Sequence, residues 1–217
     1  AAATERLRLA TGVLLVAQRV PIHTAKELAT LDHLCDGCLL VDVGSGWNIE
    51  EMSNHGTDPT TRSRLLGERI RAIVEVWTNE RAEFDGDLVD FDPIFSWPKP
   101  VTRPHPPIHV GGAYPIGLRR ALRIGQGWIP MANRGDTDFD AHLTAIPEFA
   151  AQIGRDNTDD FEIKIHGVPT DQPGLTELVE LVELGVHRAV FVVGATDQDR
   201  TLRYLDQLAK LTEEIAS

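Results

Sequence analysis

Glycine-rich segments are the part of this sequence where residue type and spacing could do chemistry. Residues 44–46 (GSG) and 111–113 (GGA) each follow an apolar run. Glycine lets a backbone approach a flat ring or a phosphate closely, and free amides at a helix start favour an anion. Turn geometry alone also accounts for such glycines, because strand-to-helix loops need residues with positive φ. Together with Trp47 and Trp128, several such loops favour a planar organic cofactor.

Histidine and cysteine could hold a metal, but their spacing does not indicate a metal site. None of the eight histidines forms H-x-H or H-E-x-x-H, two spacings typical of metal ligands. Cys35 and Cys38 form a C-x-x-C without a second pair, which favours two free thiols over a zinc site or a redox dithiol. His109 and His166 fall on predicted strands, where each is either a buried, satisfied residue or a proton donor near a cofactor. The sequence therefore predicts no metal site and leaves the catalytic residues unassigned.

Apolar runs alternate with amphipathic segments along the chain. The predicted strands are residues 7–17, 38–44, 108–112, 127–131, 161–169 and 188–194. The predicted helices are residues 23–34, 60–77, 115–124, about 138–153, 174–184 and 198–215. Alternating strands and helices give parallel strands with right-handed crossovers. We therefore expect an α/β fold of the (β/α)8 TIM-barrel type, incomplete at about six β/α units and lacking the N-terminal ones, as a single domain over residues 1–217.

Residues 82–107 interrupt this alternation. Asp85 and Gly86 lie between two short extended pieces, and a proline-dense connection follows. An Asp-Gly step is typical of a β-hairpin turn. The stretch is therefore predicted to be a small excursion inserted between two β/α units.

The balance of charges narrows the class of partner. The 217 residues include 21 Lys and Arg against 33 Asp and Glu, a formal charge of -12, and the basic residues are scattered. Nucleic acids and anionic membranes are bound through clustered Lys and Arg. We therefore expect neither as a partner, and expect a small-molecule substrate instead.

Only two cysteines are present, and neither a signal peptide nor an apolar run of about 18 residues is visible. We expect a cytoplasmic location.

The order of these segments resembles the luciferase-like monooxygenase family, in particular its actinobacterial members that use the deazaflavin coenzyme F420. The resemblance rests on the segments TERLRLATGVLLVAQRVPIHTAKELATLDHL, GSGWNIEEM, ERIRAIVEVW, FDPIFSWPKPV, PPIHVGG and LRRALRIGQGWIP in this order. It spans essentially the whole chain. It implies a (β/α)8 barrel that holds F420 or FMN at the carboxyl ends of its strands.

The same resemblance implies which residues bind the coenzyme. The strand bulge beside the ring would consist of Thr11, Gly12 and Val13. The family's G-x-G-W-x-x-x-E stretch would supply Gly44, Gly46, Trp47 and Glu51. The loop that binds the phosphate-bearing tail would contain Gly111, Gly112 and Ala113. Family members often carry a non-proline cis peptide bond in the bulge, which here would join Gly12 to Val13.

The resemblance implies an oxidoreductase that transfers a hydride between an unidentified organic substrate and F420. An FMN-dependent monooxygenase and a non-catalytic, truncated flavin-binding relative are the alternatives.

Unpaired strands at the two edges of an incomplete barrel predict a homo-oligomer. Asp42 lies within a predicted buried strand, where a carboxylate needs a partner or a raised pKa.

Overall fold

The computed structural model describes residues 1–5, 7–131, 139–168, 175–193 and 197–216. Its strands are β1 (Leu9–Ala10), β2 (Leu14–Leu15), β3 (Leu39–Gly44), β4 (Arg81–Asp85), β5 (Asp90–Phe95), β6 (Ile108–Gly111), β7 (Gly127–Ile129), β8 (Glu162–Val168) and β9 (Arg188–Phe191). Its helices are α1 (Pro21–Leu34), α2 (Ile49–Asn54), α3 (Arg62–Thr78), α4 (Ile116–Ile124), α5 (Phe139–Thr144), α6 (Ile146–Gln152), α7 (Leu175–Glu183) and α8 (Gln198–Ala216). The predicted element ends at residues 138, 169, 174 and 194 lie outside the described residues.

The main sheet is parallel. Its strands follow the order β1, β3, β6, β7, β8 and β9, and β2 also pairs with β3. Every residue of β3 is buried, as expected for a parallel strand that is covered on both faces. Among the described residues β1 and β9 are the ends of this order, so the sheet is an open part of a barrel. The predicted α/β fold of an incomplete (β/α)8 type is confirmed.

The register of the sheet brings polar residues of neighbouring strands to one level. Asp42 of β3 lies opposite His109 of β6. His109 in turn lies opposite Gly127 of β7, and Gly127 lies opposite Glu162 of β8. Residues at one level of a parallel sheet, on the same face, are neighbours in space. The level therefore gathers charged side chains that are far apart in the sequence.

The apolar run at residues 7–17 does not form one strand, and that prediction was wrong. Leu9 pairs with Leu39, but Leu14 pairs with Val43, so the register shifts by one residue between β1 and β2. One extra residue between two paired stretches is a β-bulge. The Gly12–Val13 peptide bond lies in this bulge and is cis, which confirms the bulge and the cis bond that the family resemblance implied. After β2 the chain enters a short 3-10 helix, Val16–Gln18.

Two helical segments differ from the sequence prediction. α2 occupies part of a predicted loop, because the Asn48 side chain accepts a hydrogen bond from the Glu51 backbone N–H at 3.1 Å and so caps the helix start. The helix predicted over about 138–153 is divided at Ala145 into α5 and α6. Pro147 lies in the first turn of α6, and its lack of an N–H prevents one continuous helix through this position.

Residues 82–107 contain part of an antiparallel hairpin, in which Asp85 of β4 lies opposite Asp90 of β5. The buried Glu68 of α3 binds the backbone of the turn between β4 and β5. The Glu68 carboxylate accepts hydrogen bonds from the backbone N–H groups of Leu88 and Val89 at 2.7 and 3.1 Å. The hairpin is thus attached to the helical layer.

The core lies between the sheet and the helices that cover it. Trp77 is almost fully buried, and its Nε1 donates a hydrogen bond to the Ala25 carbonyl at 2.8 Å, which joins α3 to α1. Trp128 of β7 is also fully buried. Within the described ranges, the structure contains no helix with the length and apolar character needed to cross a membrane.

Candidate active site

A cavity of about 270 Å³ opens at the carboxyl ends of the parallel strands. Backbone from the β1–β2 bulge, from the loop after β3 and from the loop after β6 forms part of its wall. Strand ends and helix starts meet here, at the face where a parallel barrel binds its ligand. The position of the cavity therefore makes it the candidate active site.

Eight of the ten residues predicted to bind the coenzyme line this cavity. They are Gly12, Val13, Gly44, Gly46, Trp47, Gly111, Gly112 and Ala113. Thr11 and Glu51 do not line it. The Thr11 hydroxyl donates a hydrogen bond to the Asp42 carbonyl at 2.7 Å, and Glu51 lies in the first turn of α2. The fold brings the glycine-rich segments together, and coenzyme binding by these residues stays a prediction.

The bulge offers open space for a flat ring. A Cβ atom built on Gly12 would have no heavy atom within 4 Å. The neighbouring Val13 is 36% exposed, and Trp47, on the loop after β3, is 78% exposed. Bare backbone beside exposed apolar side chains is the kind of surface that binds a planar organic molecule.

Two glycines hold the loop after β6 against the start of α4. Gly112 has a φ of +151°, and a Cβ there would lie 2.9 Å from the Gly117 Cα. The buried Trp128 fixes the same loop, because its Nε1 donates a hydrogen bond to the Gly112 carbonyl at 2.8 Å. The loop therefore packs closely on the N-terminal end of α4, whose partial positive charge favours an anion such as a phosphate.

An aromatic group that sequence reasoning missed forms another part of the lining. His142 of α5 stacks on Tyr114, with ring centroids 3.9 Å apart and 12° between the planes. Phe139 meets His142 edge-on at 6.2 Å, and all three residues line the cavity. The spacing of Phe139 and His142, three residues apart on one helix face, is a sequence signal that could have found them. Nothing in the sequence singles out Tyr114.

The two strand histidines have different surroundings. His166 of β8 lines the cavity, and its Nδ1 is buried without a hydrogen-bond partner among the described residues. His109 is fully buried and is not part of the lining. Both ring nitrogens of His109 also lack a hydrogen-bond partner among the described residues, so it is the place of His166 in the lining that distinguishes it as a candidate contact for a ligand. Together with the open glycine backbone and the aromatic rings, the unused Nδ1 of His166 fits a planar, hydrogen-bonding coenzyme or its substrate.

A charged layer lies beneath the cavity on the same strands. Asp42 precedes Gly44 by two residues on β3, and Lys164 precedes His166 by two residues on β8, so alternation places the charged pair one step below the lining. Lys164 Nζ donates to both carboxylate oxygens of Asp42 at 2.7 Å. Both side chains are almost fully buried. Lys164 is thus the partner that a buried Asp42 requires.

His109 lies between this ion pair and a second one. Its Nδ1 is 3.2 Å from Asp42 Oδ1, and its Nε2 is 3.5 Å from Glu162 Oε2. Arg188 of β9 donates two hydrogen bonds to the Glu162 carboxylate, at 2.9 and 3.2 Å. These bonds hold the pKa of Glu162 below its ordinary value and raise the pKa of Arg188. Together, the five charged and polar side chains connect β3, β6, β8 and β9.

The Glu162–Arg188 pair predicts a pH-dependent stability. The Glu162 pKa is lower in the folded chain, so its stabilisation is fully present above the unfolded pKa and is lost as the pH falls through the folded pKa. Glu162→Gln is expected to lower the free energy of unfolding by about 1 kcal/mol at about pH 7, and by much less at about pH 3. Urea unfolding of both proteins at the two pH values measures this. A difference that does not change with pH would contradict the prediction.

Comparison with known proteins was made for sequence and for structure. The family model described as luciferase-like monooxygenase matches residues 1–170. An uncharacterized protein of Mycobacterium tuberculosis is 37% identical over 210 residues, which cover 96% of this chain and 71% of that protein. The structure of the monooxygenase RslO1 from Streptomyces bottropensis superposes with a TM-score of 0.79 at 20% identity, covering all of this chain and 80% of that one. At that identity the likeness shows the fold alone.

Two further relatives use different coenzymes. An F420-dependent glucose-6-phosphate dehydrogenase of Kineococcus radiotolerans is 31% identical over 159 residues, 71% of this chain and 47% of that protein. An FMNH2-dependent dimethylsulfone monooxygenase of Pseudomonas putida is 34% identical over 135 residues, 61% of this chain and 37% of that protein. In both comparisons the match spans less than half of the relative's length.

Proposed function

The chain belongs to the luciferase-like monooxygenase family, and from this premise we propose that it transfers a hydride between an organic substrate and coenzyme F420. The observation that carries the proposal is the cavity at the strand ends, where the Gly12 backbone faces open space. A side chain at this position would occupy the volume that a ring needs. The aromatic group on another part of the wall would keep water from that ring.

Each glycine-rich segment has a separate task in this proposal. The bulge at Gly12 and Val13 would hold the ring, and the loop at Gly111 and Gly112 would hold the phosphate-bearing tail at the start of α4. When bound, F420 supplies the ring carbon that exchanges a hydride with the substrate. The protein's own contribution is to bind and orient the two molecules and to exclude water.

The share of this chain that aligns supports F420 in this proposal. The F420-dependent relative aligns with 71% of this chain and the FMNH2-dependent one with 61%. An FMN-dependent monooxygenase is the second candidate, because the FMNH2-dependent relative is the more similar of the two over the residues that align, at 34% against 31% identity.

Titration of the protein with F420 and, separately, with FMN tests the proposal. We expect quenching of the coenzyme fluorescence with a dissociation constant in the micromolar range for F420 and weaker binding of FMN. Tighter binding of FMN would favour the second candidate. Binding of neither coenzyme would contradict both.

Gly12→Leu is expected to weaken coenzyme binding by at least about tenfold. The leucine side chain would enter the open space beside the bulge, where a Cβ meets no heavy atom within 4 Å. For the same reason the variant should fold, and its urea midpoint should stay near that of the wild type. Unchanged affinity in a folded variant would mean that the ring does not lie against Gly12.

A further inference from the structure

We propose that Cys35 and Cys38 form a reversible disulfide bond by exchange with a low-molecular-weight disulfide, which makes the turn between α1 and β3 a thiol–disulfide modification site. This turn precedes β3, whereas Gly44 at the other end of the same strand lines the cavity. The proposed disulfide site is therefore separate from the site assigned to the coenzyme.

The backbone of the turn brings the two cysteines close together. The Cys38 backbone N–H donates a hydrogen bond to the Cys35 carbonyl at 3.3 Å. Between them, Asp36 and Gly37 have φ values of +50° and +77°, and positive φ at both central positions is typical of a type I′ β-turn. The end residues of a β-turn have Cα atoms less than about 7 Å apart, and a disulfide joins residues whose Cα atoms are about 4.4 to 6.8 Å apart. The turn therefore suits a disulfide without a large movement of the backbone.

The two thiol groups of this turn are in contact. Burial raises the pKa of the Cys35 thiol, and a side-chain hydrogen bond with Cys38 raises it further. Both cysteines are free, and both are half-buried, so an external reagent can reach them. The C-x-x-C spacing alone favours two independent thiols. The contact between the sulfur atoms, which only the structure shows, indicates instead a pair that can be oxidised together.

Hydrogen bonds from outside the turn keep it in this conformation. The Asp32 carboxylate of α1 is buried and accepts hydrogen bonds from the backbone N–H and the hydroxyl group of Thr102, at 2.9 and 3.1 Å. The Asp32 carbonyl accepts a third, from the Gly37 backbone N–H at 2.9 Å. Because the turn is ordered before the disulfide forms, closing the bond costs less conformational entropy here than in an unfolded chain.

The oxidation is a balanced thiol–disulfide exchange. The thiolate of one cysteine attacks a sulfur atom of the external disulfide, which forms a mixed disulfide and releases one external thiolate. The thiolate of the other cysteine then attacks the protein sulfur atom of the mixed disulfide. The bond between Cys35 and Cys38 forms, and the second external thiolate leaves. The two external thiolates take up the two thiol protons, so the protein loses two electrons and two protons and the external disulfide gains them.

The exchange equilibrium with 2-mercaptoethanol and its disulfide tests the proposal. This reagent pair is uncharged, so neither the exposed Asp36 nor the net charge of -12 repels it. Alkylation of the remaining thiols followed by mass spectrometry of the intact protein gives the fraction that contains the internal disulfide. We expect the equilibrium constant for forming it to be at least about tenfold larger in the folded protein than in the same protein unfolded in urea. A folded-state constant no larger than the unfolded one would overturn the proposal.

Cys35→Ser and Cys38→Ser are matched variants that each keep one thiol. Both should stop at the mixed disulfide with one mercaptoethanol unit, whereas the wild type should proceed to the internal bond and hold less than about a tenth as much mixed disulfide at the same reagent ratio. In the reduced state their urea midpoints should stay near that of the wild type, because serine differs from cysteine by one atom. Accumulation of the mixed disulfide in the wild type to the level of the variants, or oxidation of the wild type to a disulfide-linked dimer, would overturn the proposal.

Discussion

Lys164→Met is expected to lower the free energy of unfolding by about 3 kcal/mol. The substitution removes the ammonium group that lies 2.7 Å from both carboxylate oxygens of Asp42. Asp42 would remain only 4% exposed without its cation, and an unpaired buried charge is strongly destabilising. His109 Nδ1 lies 3.2 Å from the same carboxylate, which keeps the expected loss near the lower end of the range for broken buried pairs.

Two further variants separate loss of the ion pair from loss of packing. Asp42→Val combined with Lys164→Met removes both charges, and we expect it to recover most of the stability, because an apolar pair of similar volume often replaces a buried ion pair at little cost. Lys210→Met is the matched control, since Lys210 is exposed on α8 and should change the free energy of unfolding by less than about 0.5 kcal/mol. Urea unfolding measures all three variants. A double variant as unstable as Lys164→Met would contradict this explanation.

The alternation of strands and helices was predictable from the sequence because it depends on local patterns. The apolar run that became β3 and the amphipathic stretch that became α3 each show their period within a short window. The glycine-rich ends of β3 and β6 were predictable for the same reason, since strand-to-helix loops concentrate at one face of a parallel sheet. Segments that are distant in sequence could thus be placed at one cavity.

Contacts that depend on tertiary structure were not predictable in the same way. The need of Asp42 for a partner follows from its place in an apolar strand, but Lys164 is 122 residues away, and nothing local pairs the two. The bulge within residues 7–17 depends on register against β3, which an apolar run does not specify; only the family resemblance placed it at residues 11–13. The stacking of His142 on Tyr114 likewise requires the loop after β6 and α5 to meet.

The charged layer lies directly beneath the cavity, because side chains alternate between the two faces of each strand. Side chains at every second position of β3 and β8 point to the same face, so the Asp42–Lys164 pair lies beneath Gly44 and His166. Breaking the pair should therefore disturb the cavity as well as the fold. Lys164→Met should bind the proposed coenzyme more weakly than the wild type, whereas the double variant should regain binding.

Gly117→Ala is expected to lower the free energy of unfolding by about 2 to 3 kcal/mol and to abolish measurable coenzyme binding. A Cβ on Gly117 would overlap the Gly112 carbonyl group, and a backbone group cannot move aside as the end of a flexible side chain can. The loop would have to shift away from α4, which would also break the hydrogen bond from Trp128 Nε1 to the Gly112 carbonyl. Both effects follow from one displacement, so they should appear together.

Gly67→Ala is the matched control, because Gly67 is also a helical glycine but a Cβ there would meet only the end of the Arg71 side chain, at 3.7 Å. Alanine is the better helix former, so this variant should gain up to about 1 kcal/mol of stability and bind the coenzyme like the wild type. Urea unfolding and fluorescence titration are performed on both variants. If Gly117→Ala loses stability but keeps full coenzyme affinity, the loop after β6 does not hold the coenzyme tail. If it loses neither, the close contact between this loop and α4 does not constrain the fold, and the tail must be bound elsewhere on the strand ends.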